Sequence, residues 1–174
     1  MGRVEMSDGV DPNITIRSFD PADQPACSRL YSEGLLGGGK IADNDTGLDI
    51  DDIQSAYMSG GNHFWVAVNS RGEVVGMIGV QQHDEGVGEI RRLRVRDDYQ
   101  RRGIGSRLME TAVGFCRDHN YLKVTLDTYI DREPALKLFE KFRFRHSMSR
   151  EFNGKELLYF YLDIYGTDRP QDSA

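Results

Sequence analysis

The sequence predicts a single domain of the α/β (α+β) class, with a mixed, mostly antiparallel sheet of six or seven strands flanked by helices. Short apolar runs that alternate with polar residues are typical of strands, and apolar residues three and four positions apart are typical of helices. These segments follow one another in the order β-α-α-β-β-β-α-β-α-β-β. The chain has 174 residues and no internal repeat, so we expect one domain at 13–166 between tails at 1–12 and 167–174.

The N-terminal third is predicted to contain one strand and two helices. Ile14–Arg17 has strand character, and the pair Asp20-Pro21 that follows it is typical of a helix start. Three glycines end this first helix and begin an acidic loop, 43–49, before a second helix at about Asp51–Met58. The loop is interpreted either as a lid over a cationic substrate or as an ordinary solvated acidic segment.

The central part is predicted to be a meander of three antiparallel strands. The first strand is His63–Asn69, and a turn at 70–73 leads into the second, Val74–Gln82. A second turn, rich in glycine and acidic residues, connects it to a third strand at Glu89–Val95.

The C-terminal part alternates helices and strands. A long amphipathic helix is predicted from Gly103 to about His119, because its apolar residues recur at three- and four-residue intervals. A buried strand, a second amphipathic helix and a terminal hairpin with an Asn153-Gly154 turn follow, at Val124–Ile130, Glu133–Phe142, Arg145–Phe152 and Leu157–Ile164.

Composition excludes several classes of protein. The hydrophobic share of 39% and charged share of 29% are those of a globular protein rather than a disordered or membrane one. No apolar stretch is long enough to span a membrane and no secretory leader is recognisable, so we expect a cytoplasmic location.

Cys27 and Cys116 are expected to be buried thiols rather than a disulfide. No metal site is predicted, since the histidines lack the spacing of metal ligands: His63, His83, His119 and His146.

The turn 100–106 is the clearest functional signal in the sequence. Its two glycines let the backbone approach an anion closely, and it opens a helix whose first N–H groups are unpaired and partly positive. Seven arginines lie between Arg91 and Arg107 in a chain of net charge −6. This local excess favours an anionic ligand of limited size over nucleic acid.

Two segments resemble known signatures of one family. The run Leu93–Leu108, LRVRDDYQRRGIGSRL, resembles the acetyl-CoA motif of the GNAT acetyltransferases, in which a strand is followed by Q/R-x-x-G-x-G/A. Ala135–Phe144, ALKLFEKFRF, resembles the second signature of that family, A-x-x-L-Y-E-K-x-G-F. The resemblance covers roughly 63–165. It implies an acetyl-CoA-dependent N-acetyltransferase that acts on an amine, in a family where homodimers are frequent.

The resemblance also implies which residues hold the coenzyme. The backbone of Leu93, Arg94 and Val95 is expected to pair with the pantetheine arm, in a V-shaped gap between the fourth and fifth strands. The residues expected around the pyrophosphate are Gln100, Arg101, Arg102, Gly103, Ile104, Gly105 and Ser106. Arg132 replaces a family asparagine and is expected to contact a phosphate. Lys141 is interpreted either as a phosphate ligand or as a solvated surface lysine.

Catalytic roles follow from the same resemblance. The thioester carbonyl is polarised in the family by a backbone N–H at the end of the fourth strand, a role that falls to Val95 here. Glu89 lies eleven positions before Gln100, where some branches of the family carry a glutamate general base. A structural salt bridge between Glu89 and Arg91 or Arg92 is the alternative interpretation.

The general acid is less defined, because the signature tyrosine is Phe139 in this chain and phenylalanine has no proton to donate. Tyr129 is the candidate that replaces it, and protonation of the thiolate by solvent is the alternative. The glycine before the last phenylalanine of the signature is Arg143, which leaves the turn after that helix undetermined.

The sequence is therefore compared with three classes of function. An N-acetyltransferase is favoured by Glu89, whereas a non-catalytic acyl-CoA-binding module of the same fold is favoured by Phe139. A nucleic-acid binder is disfavoured, because the arginines surround a glycine turn rather than an extended face.

Overall fold

The computed structural model describes residues 11–36, 46–129, 133–152 and 154–164. Seven strands form one sheet in the order β1-β2-β3-β4-β5-β7-β6. The strands are β1 Thr15–Ser18, β2 His63–Val68, β3 Val74–Asp84, β4 Val87–Val95, β5 Lys123–Tyr129, β6 Arg145–Phe152 and β7 Lys155–Asp163. Neighbouring strands are antiparallel except β4 and β5, which are parallel. The predicted mixed, mostly antiparallel sheet is confirmed.

Five helices accompany the sheet in the described residues: α1 Gln24–Leu36, α2 Leu48–Asp51, α3 Ile53–Tyr57, α4 Ile104–Asp118 and α5 Glu133–Lys141. The helix expected at about 51–58 is confirmed as α3. A further short helix that was not predicted, α2, precedes it, and the two meet at Asp52. The backbone of Asp52 leaves the helical region (φ −146°, ψ 79°), and its carboxylate accepts hydrogen bonds from the Ser55 N–H at 3.1 Å and hydroxyl at 2.8 Å. Asp52 therefore starts a new helix.

Two apolar clusters occupy opposite sides of the sheet. On one side α4 buries Leu108, Ala112 and Cys116 against residues of β3, β4 and β5. On the other side α1 and α3 bury Cys27 and Tyr57 against residues of β2 and β3. Both cysteines are free thiols, as expected. None of the helices in the described ranges has the length and apolar character that a bilayer span requires.

The strands β4 and β5 separate after a short stretch of pairing. Their register joins Val87 to Lys123, Gly88 to Val124 and Glu89 to Thr125. Beyond that pair β4 continues to Val95 and β5 to Tyr129 without further pairing to each other. The result is the V-shaped cleft that the family resemblance implied.

A β-bulge interrupts β4 beside this cleft. Met77 of β3 pairs with Arg94 and Gly79 pairs with Arg91, so two residues of β4 stand opposite one of β3. Arg92, the first of the two, adopts a left-handed backbone conformation with φ 60°. A bulge of this kind reverses which side chains face which side of a sheet. Leu93 and Val95 accordingly pack against the cluster beneath α4.

The turn after α5 keeps the geometry of a glycine turn although glycine is absent. Arg143 adopts φ 64°, in the left-handed region where glycine is favoured. Its N–H donates to the Glu140 carbonyl at 2.9 Å, and the Phe144 N–H donates to the Phe139 carbonyl at 3.0 Å. The replacement of glycine therefore leaves the end of α5 intact.

Gly79 is required where β3 passes beneath the edge-to-face pair of Tyr57 and Phe64, whose ring centroids lie 4.9 Å apart. A Cβ at Gly79 would lie 2.7 Å from Tyr57 and 2.8 Å from Phe64. We predict that Gly79→Ala lowers the free energy of unfolding by about 1–3 kcal/mol through overpacking, measured by denaturant titration. Gly114→Ala is the control, because nothing lies within 4 Å of that position.

The control substitution replaces a glycine inside α4 and is expected to raise the free energy of unfolding by about 0.5–1 kcal/mol. Equal stability of the two variants would contradict the close packing at Gly79.

Candidate active site at the β4–β5 cleft

The N-terminus of α4 lies next to the end of β4 and is open toward the cleft. Gly103 precedes the helix with φ 77°, and no side chain caps it. The first helical hydrogen bond joins the Arg107 N–H to the Gly103 carbonyl at 3.1 Å. Within the described part of the chain, the N–H groups of Ile104, Gly105 and Ser106 have no acceptor. A helix of fifteen residues thus directs three free donors and its positive end outward.

Two neighbouring elements converge on this helix end. A Cβ at Gly105 would lie 3.5 Å from Leu138 of α5 and 4.0 Å from Val95 of β4, which are ordinary contact distances. Lys141, at the end of α5, donates a hydrogen bond from Nζ to Ser106 Oγ at 3.1 Å. The structure therefore brings the predicted Lys141 and Ser106 together beside the free amides, where the ammonium group adds positive charge.

The arginine cluster is largely neutralised by protein groups. Arg102 lies 3.4 Å from Asp11 and stacks at 4.7 Å over the Tyr99 ring. Arg96 pairs with Asp98 at 2.7 Å. The local excess of arginine therefore does not act as one cluster of free cations. Arg101 is exposed and, among the described residues, has no ion-pair partner, so it remains available to an anion at the turn.

Gln100 lies at the turn but points back toward the strand. Its side-chain N–H group donates to the Val95 carbonyl at 3.2 Å and to the Asp97 carboxylate at 3.2 Å. These bonds fix the connection between β4 and the turn. In this structure Gln100 thus supports the turn through its side chain.

The last residues of β4 direct backbone groups into the cleft. The Arg96 N–H donates to the Val75 carbonyl of β3 at 2.8 Å. Because successive peptide groups of a strand point to opposite sides, the N–H of Val95 points away from β3. The side it faces is the one that β5 has left. Val95 and, by the same alternation, Leu93 therefore present backbone groups to the cleft on either side of Arg94.

Glu89 lies at the point where the cleft begins. It pairs with Gln81 of β3 and with Thr125 of β5, and its side chain is 28% exposed. Its carboxylate lies 3.2 Å from His83 Nδ1 and 3.8 Å from Arg91 Nε. Burial raises the pKa of Glu89, and the charge of Asp127 raises it further, while the cations nearby act in the opposite direction.

This environment contains elements of both interpretations of Glu89. The contact with Arg91 is the structural salt bridge considered above, but Arg91 also donates to Gln81 Oε1 at 2.8 Å. A carboxylate with a raised pKa, half buried at the mouth of a cleft, is suited to accept a proton near neutral pH.

The remaining catalytic candidates lie on β5 and α5. Tyr129 is half-buried at the end of β5. It lies four residues after Thr125, which pairs with Glu89, and the two side chains are therefore on the same face of the strand. Its ring lies 5.8 Å from Lys155 Nζ. Phe139 is buried at 5% exposure and packs against Phe144, so it belongs to the core. Arg132 lies outside the described residues.

A buried cluster of charged and aromatic side chains, which sequence spacing did not reveal, joins the helices to β4. Arg92 donates to Asp49 from Nε at 2.8 Å and from Nη2 at 2.5 Å. The Tyr57 hydroxyl donates to the same carboxylate at 2.5 Å, and the Tyr31 ring lies 5.1 Å from the guanidinium carbon. We call Asp49, Arg92, Tyr57 and Tyr31 the Arg92 cluster. The only sequence signal was an unexplained acid in the 43–49 segment.

The lid interpretation of the acidic segment is wrong for the part that the structure describes. Asp49 turns inward to Arg92, and Asp52 starts α3. Asp43 lies outside the described residues. Asp49 and Asp52 thus give no indication of a cationic acceptor.

Comparison with known proteins identifies relatives of this chain. The sequence profile of the acetyltransferase (GNAT) family matches residues 30–144. N-acetylaspartate synthetase of Rattus norvegicus is 37% identical over 100 residues, which are 56% of this chain and 33% of that protein. Human N-acetyltransferase 8 is 35% identical over 103 residues, 56% of this chain and 45% of that protein. The chain thus spans between a third and a half of the length of these relatives.

Solved structures share the fold. A GNAT-family acetyltransferase from Staphylococcus aureus Mu50 superposes with a TM-score of 0.77 at 20% identity, covering 86% of this chain and 98% of that one. An acetyltransferase from Salmonella typhimurium, described with its cofactor acetyl-CoA, has a TM-score of 0.74 at 18% identity and covers 93% and 97% of the two chains. At these identities the likeness shows the fold alone.

The ion pair of the Arg92 cluster makes stability depend on pH. Arg92 and Tyr57 hold the pKa of Asp49 below its ordinary value although burial opposes them, and the two charged side chains are only 6% and 12% exposed. We predict that Asp49→Asn lowers the free energy of unfolding by about 3 kcal/mol at pH 7, because it leaves a buried cation without its anion.

A carboxylate whose pKa is lowered on folding stabilises the fold at pH values above its unfolded-state pKa of about 3.9. The stabilisation is lost as the pH falls through the pKa of the folded state. The difference between wild type and Asp49→Asn should therefore be constant from pH 7 to about 5 and shrink below about 4. Urea titrations across this range measure it, and a difference independent of pH would contradict the assignment.

Proposed function

Because the chain belongs to the acetyltransferase (GNAT) family, we propose that it transfers an acetyl group from acetyl-CoA to a primary amine of a small molecule or peptide. The observation that carries the proposal is the open N-terminus of α4 beside the unpaired end of β4. Three free amides next to Arg101 and Lys141 match a diphosphate in charge and hydrogen-bonding capacity. The adjacent strand end offers backbone groups to the amide-containing arm of the same coenzyme.

Different residues of the cleft bind different parts of the coenzyme. The free amides of Ile104, Gly105 and Ser106 bind the pyrophosphate, assisted by Arg101, Arg102 and Lys141. Gln100 keeps the turn next to β4 through its bond to Val95. The backbone groups of Leu93 and Val95, on either side of Arg94, pair with the pantetheine arm along the open edge of β4. Arg132 is assigned to a phosphate on the family resemblance alone.

The cleft supplies what acetyl transfer from a thioester requires. The Val95 N–H donates to the carbonyl oxygen as negative charge develops on it. Glu89 accepts a proton from the ammonium group of the acceptor, directly or through a water. The neutral amine that results attacks the thioester carbon and forms the new C–N bond while the C–S bond breaks. The raised pKa of Glu89 brings its basicity closer to neutral pH than that of an ordinary glutamate.

Tyr129 is proposed to donate a proton to the departing thiolate. It stands on the same face of β5 as Thr125, the partner of Glu89, whereas Phe139 is in the core and has no proton to give. Protonation by solvent is the alternative, since a thiol pKa of about 8.5 makes the thiolate a tolerable leaving group.

An α-amino acid is the acceptor class that we would test first. Glu89 and Arg91 lie on one face of β4, two residues apart, with side chains 28% and 33% exposed. A carboxylate and a guanidinium so placed match the ammonium and carboxylate groups of an amino acid. N-acetylaspartate synthetase, a relative, is named for such a product. The acceptor panel should therefore include aspartate beside polyamines, amino sugars and lysine peptides.

A non-catalytic acyl-CoA-binding module is the second candidate, and the loss of the signature tyrosine at Phe139 favours it. The environment of Glu89 favours the enzyme. Measuring release of free coenzyme thiol across the acceptor panel separates the two, because a binding module would protect the thioester and release none.

We predict that acetyl-CoA raises the melting temperature of the wild type, by the equivalent of about 2.7 kcal/mol at a hundredfold excess over Kd. Gly105→Glu should abolish this shift, because it places a carboxylate at the helix end that holds the diphosphate. Gly114→Glu, which adds the same charge to the same helix at an open position, should retain it. A shift retained in both variants would remove the pyrophosphate assignment.

We predict that Glu89→Gln lowers kcat by about 100-fold while the coenzyme-induced melting shift stays unchanged. In the wild type, kcat/KM should fall as the pH drops through the raised pKa of Glu89, since the protonated carboxyl cannot accept a proton. Glu85→Gln, in the exposed β3–β4 turn, is the matched control. Full turnover by Glu89→Gln would place the base elsewhere.

A further inference from the structure

We infer that Asp49 is a positioning residue for acetyl transfer, because through Arg92 it holds the β-bulge that directs the Val95 N–H into the cleft. The kinetic part of this inference rests on the proposed function. The structural part, that an acid on α2 fixes the backbone of β4, does not depend on it.

Asp49 fixes both the position and the orientation of Arg92. Its two carboxylate oxygens accept bonds from Nε at 2.8 Å and Nη2 at 2.5 Å, a bidentate pair that fixes the plane of the guanidinium. Tyr57 of α3 donates to the same carboxylate, and Tyr31 of α1 covers the guanidinium with its ring. Asp49 of α2 and Tyr31 of α1 therefore contact Arg92 directly, and Tyr57 of α3 holds the carboxylate of Asp49.

This anchor acts on a strained part of the backbone. The φ of 60° at Arg92 is unfavourable for a residue with a Cβ by about 1–2 kcal/mol. Such conformations persist where the surrounding contacts over-determine them. The buried bidentate pair supplies contacts of that kind, and the register shift opposite Ile78 is located at the same residue.

Loss of the anchor should affect one part of the site selectively. The residues after the bulge, Leu93 and Val95, face their present directions only because two residues of β4 stand opposite one of β3. Glu89 lies before the bulge, and its pairing with Gln81 does not depend on it. The free amides of α4 follow a separate turn. Relaxation at Arg92 would therefore misdirect the Val95 N–H and the neighbouring backbone that pairs with the pantetheine arm. The base and the diphosphate site would stay in place.

The chain contains a matched control for this test. Arg17 and Asp23 form a second bidentate pair, with distances of 2.7 Å and 2.9 Å, and Asp23 is 7% exposed. This pair joins β1, at the edge of the sheet, to the turn before α1. It resembles the Asp49–Arg92 pair chemically but touches neither β4 nor the cleft.

The experiment compares Asp49→Asn with Asp23→Asn, each assayed well below its own melting temperature so that both are folded. We expect both to be less stable than wild type, but only Asp49→Asn to lose kcat, by about 100-fold, and to keep only part of the acetyl-CoA-induced melting shift, because the diphosphate site remains while the pairing with the pantetheine arm is weakened. Hydrogen exchange of the backbone amides of 92–96 should accelerate in Asp49→Asn and not in Asp23→Asn.

Equal kcat in the two folded variants would overturn the inference. If the wild type turns over no acceptor, the proposed function fails, and the exchange measurement decides this inference instead. Unchanged exchange of 92–96 in Asp49→Asn would then overturn it.

Discussion

The bulge at Arg92 is the constraint on which the geometry of the cleft depends. Before it, β4 is an ordinary strand that pairs with β3 on one side and β5 on the other. After it, the side-chain faces are exchanged and the strand runs beside an open gap. A bulge also bends and twists a strand locally, which suits the divergence of β4 from β5. The Arg92 cluster holds this irregularity from the helical layer formed by α1, α2 and α3.

Electrostatic complementarity at the site comes more from the backbone than from the number of arginines. Arg92 and Arg96 each have an acidic partner within the protein, so their charges contribute little to an external anion, and Arg102 shares its charge with Asp11 at 3.4 Å. The free amides of α4 have no such competitor in the described structure, and Lys141 lies next to them through Ser106. An acidic protein can thus present a small, well-defined anion site without a general affinity for polyanions.

Local patterns were sufficient to predict most of the architecture. Alternation gave the strands, helical spacing gave α4 and α5, and the glycine turn indicated the open helix end, because each of these depends on neighbours in sequence. The split at Asp52 was missed, since a capping aspartate inside a short helical pattern looks like one more polar residue. The bond between Arg92 and Asp49 could not be predicted from local patterns, because the two residues lie 43 positions apart and only tertiary packing brings them together. For the same reason, counting arginines could not show which of them are already neutralised.

The exchange of faces along β4 also bears on how such a protein can diversify. Side chains of β4 alternate between two layers: Ile90 and Leu93 pack in the cluster beneath α4, whereas Arg91 bonds to Gln81, which donates to the Ala56 carbonyl of α3. On the proposed function, substitutions in the layer of short helices would alter the surroundings of Glu89 and Arg91 without changing the free amides of α4. Asp49 and Arg92 are the exception, because their ion pair joins the short helices to β4 and a substitution of either residue would affect both.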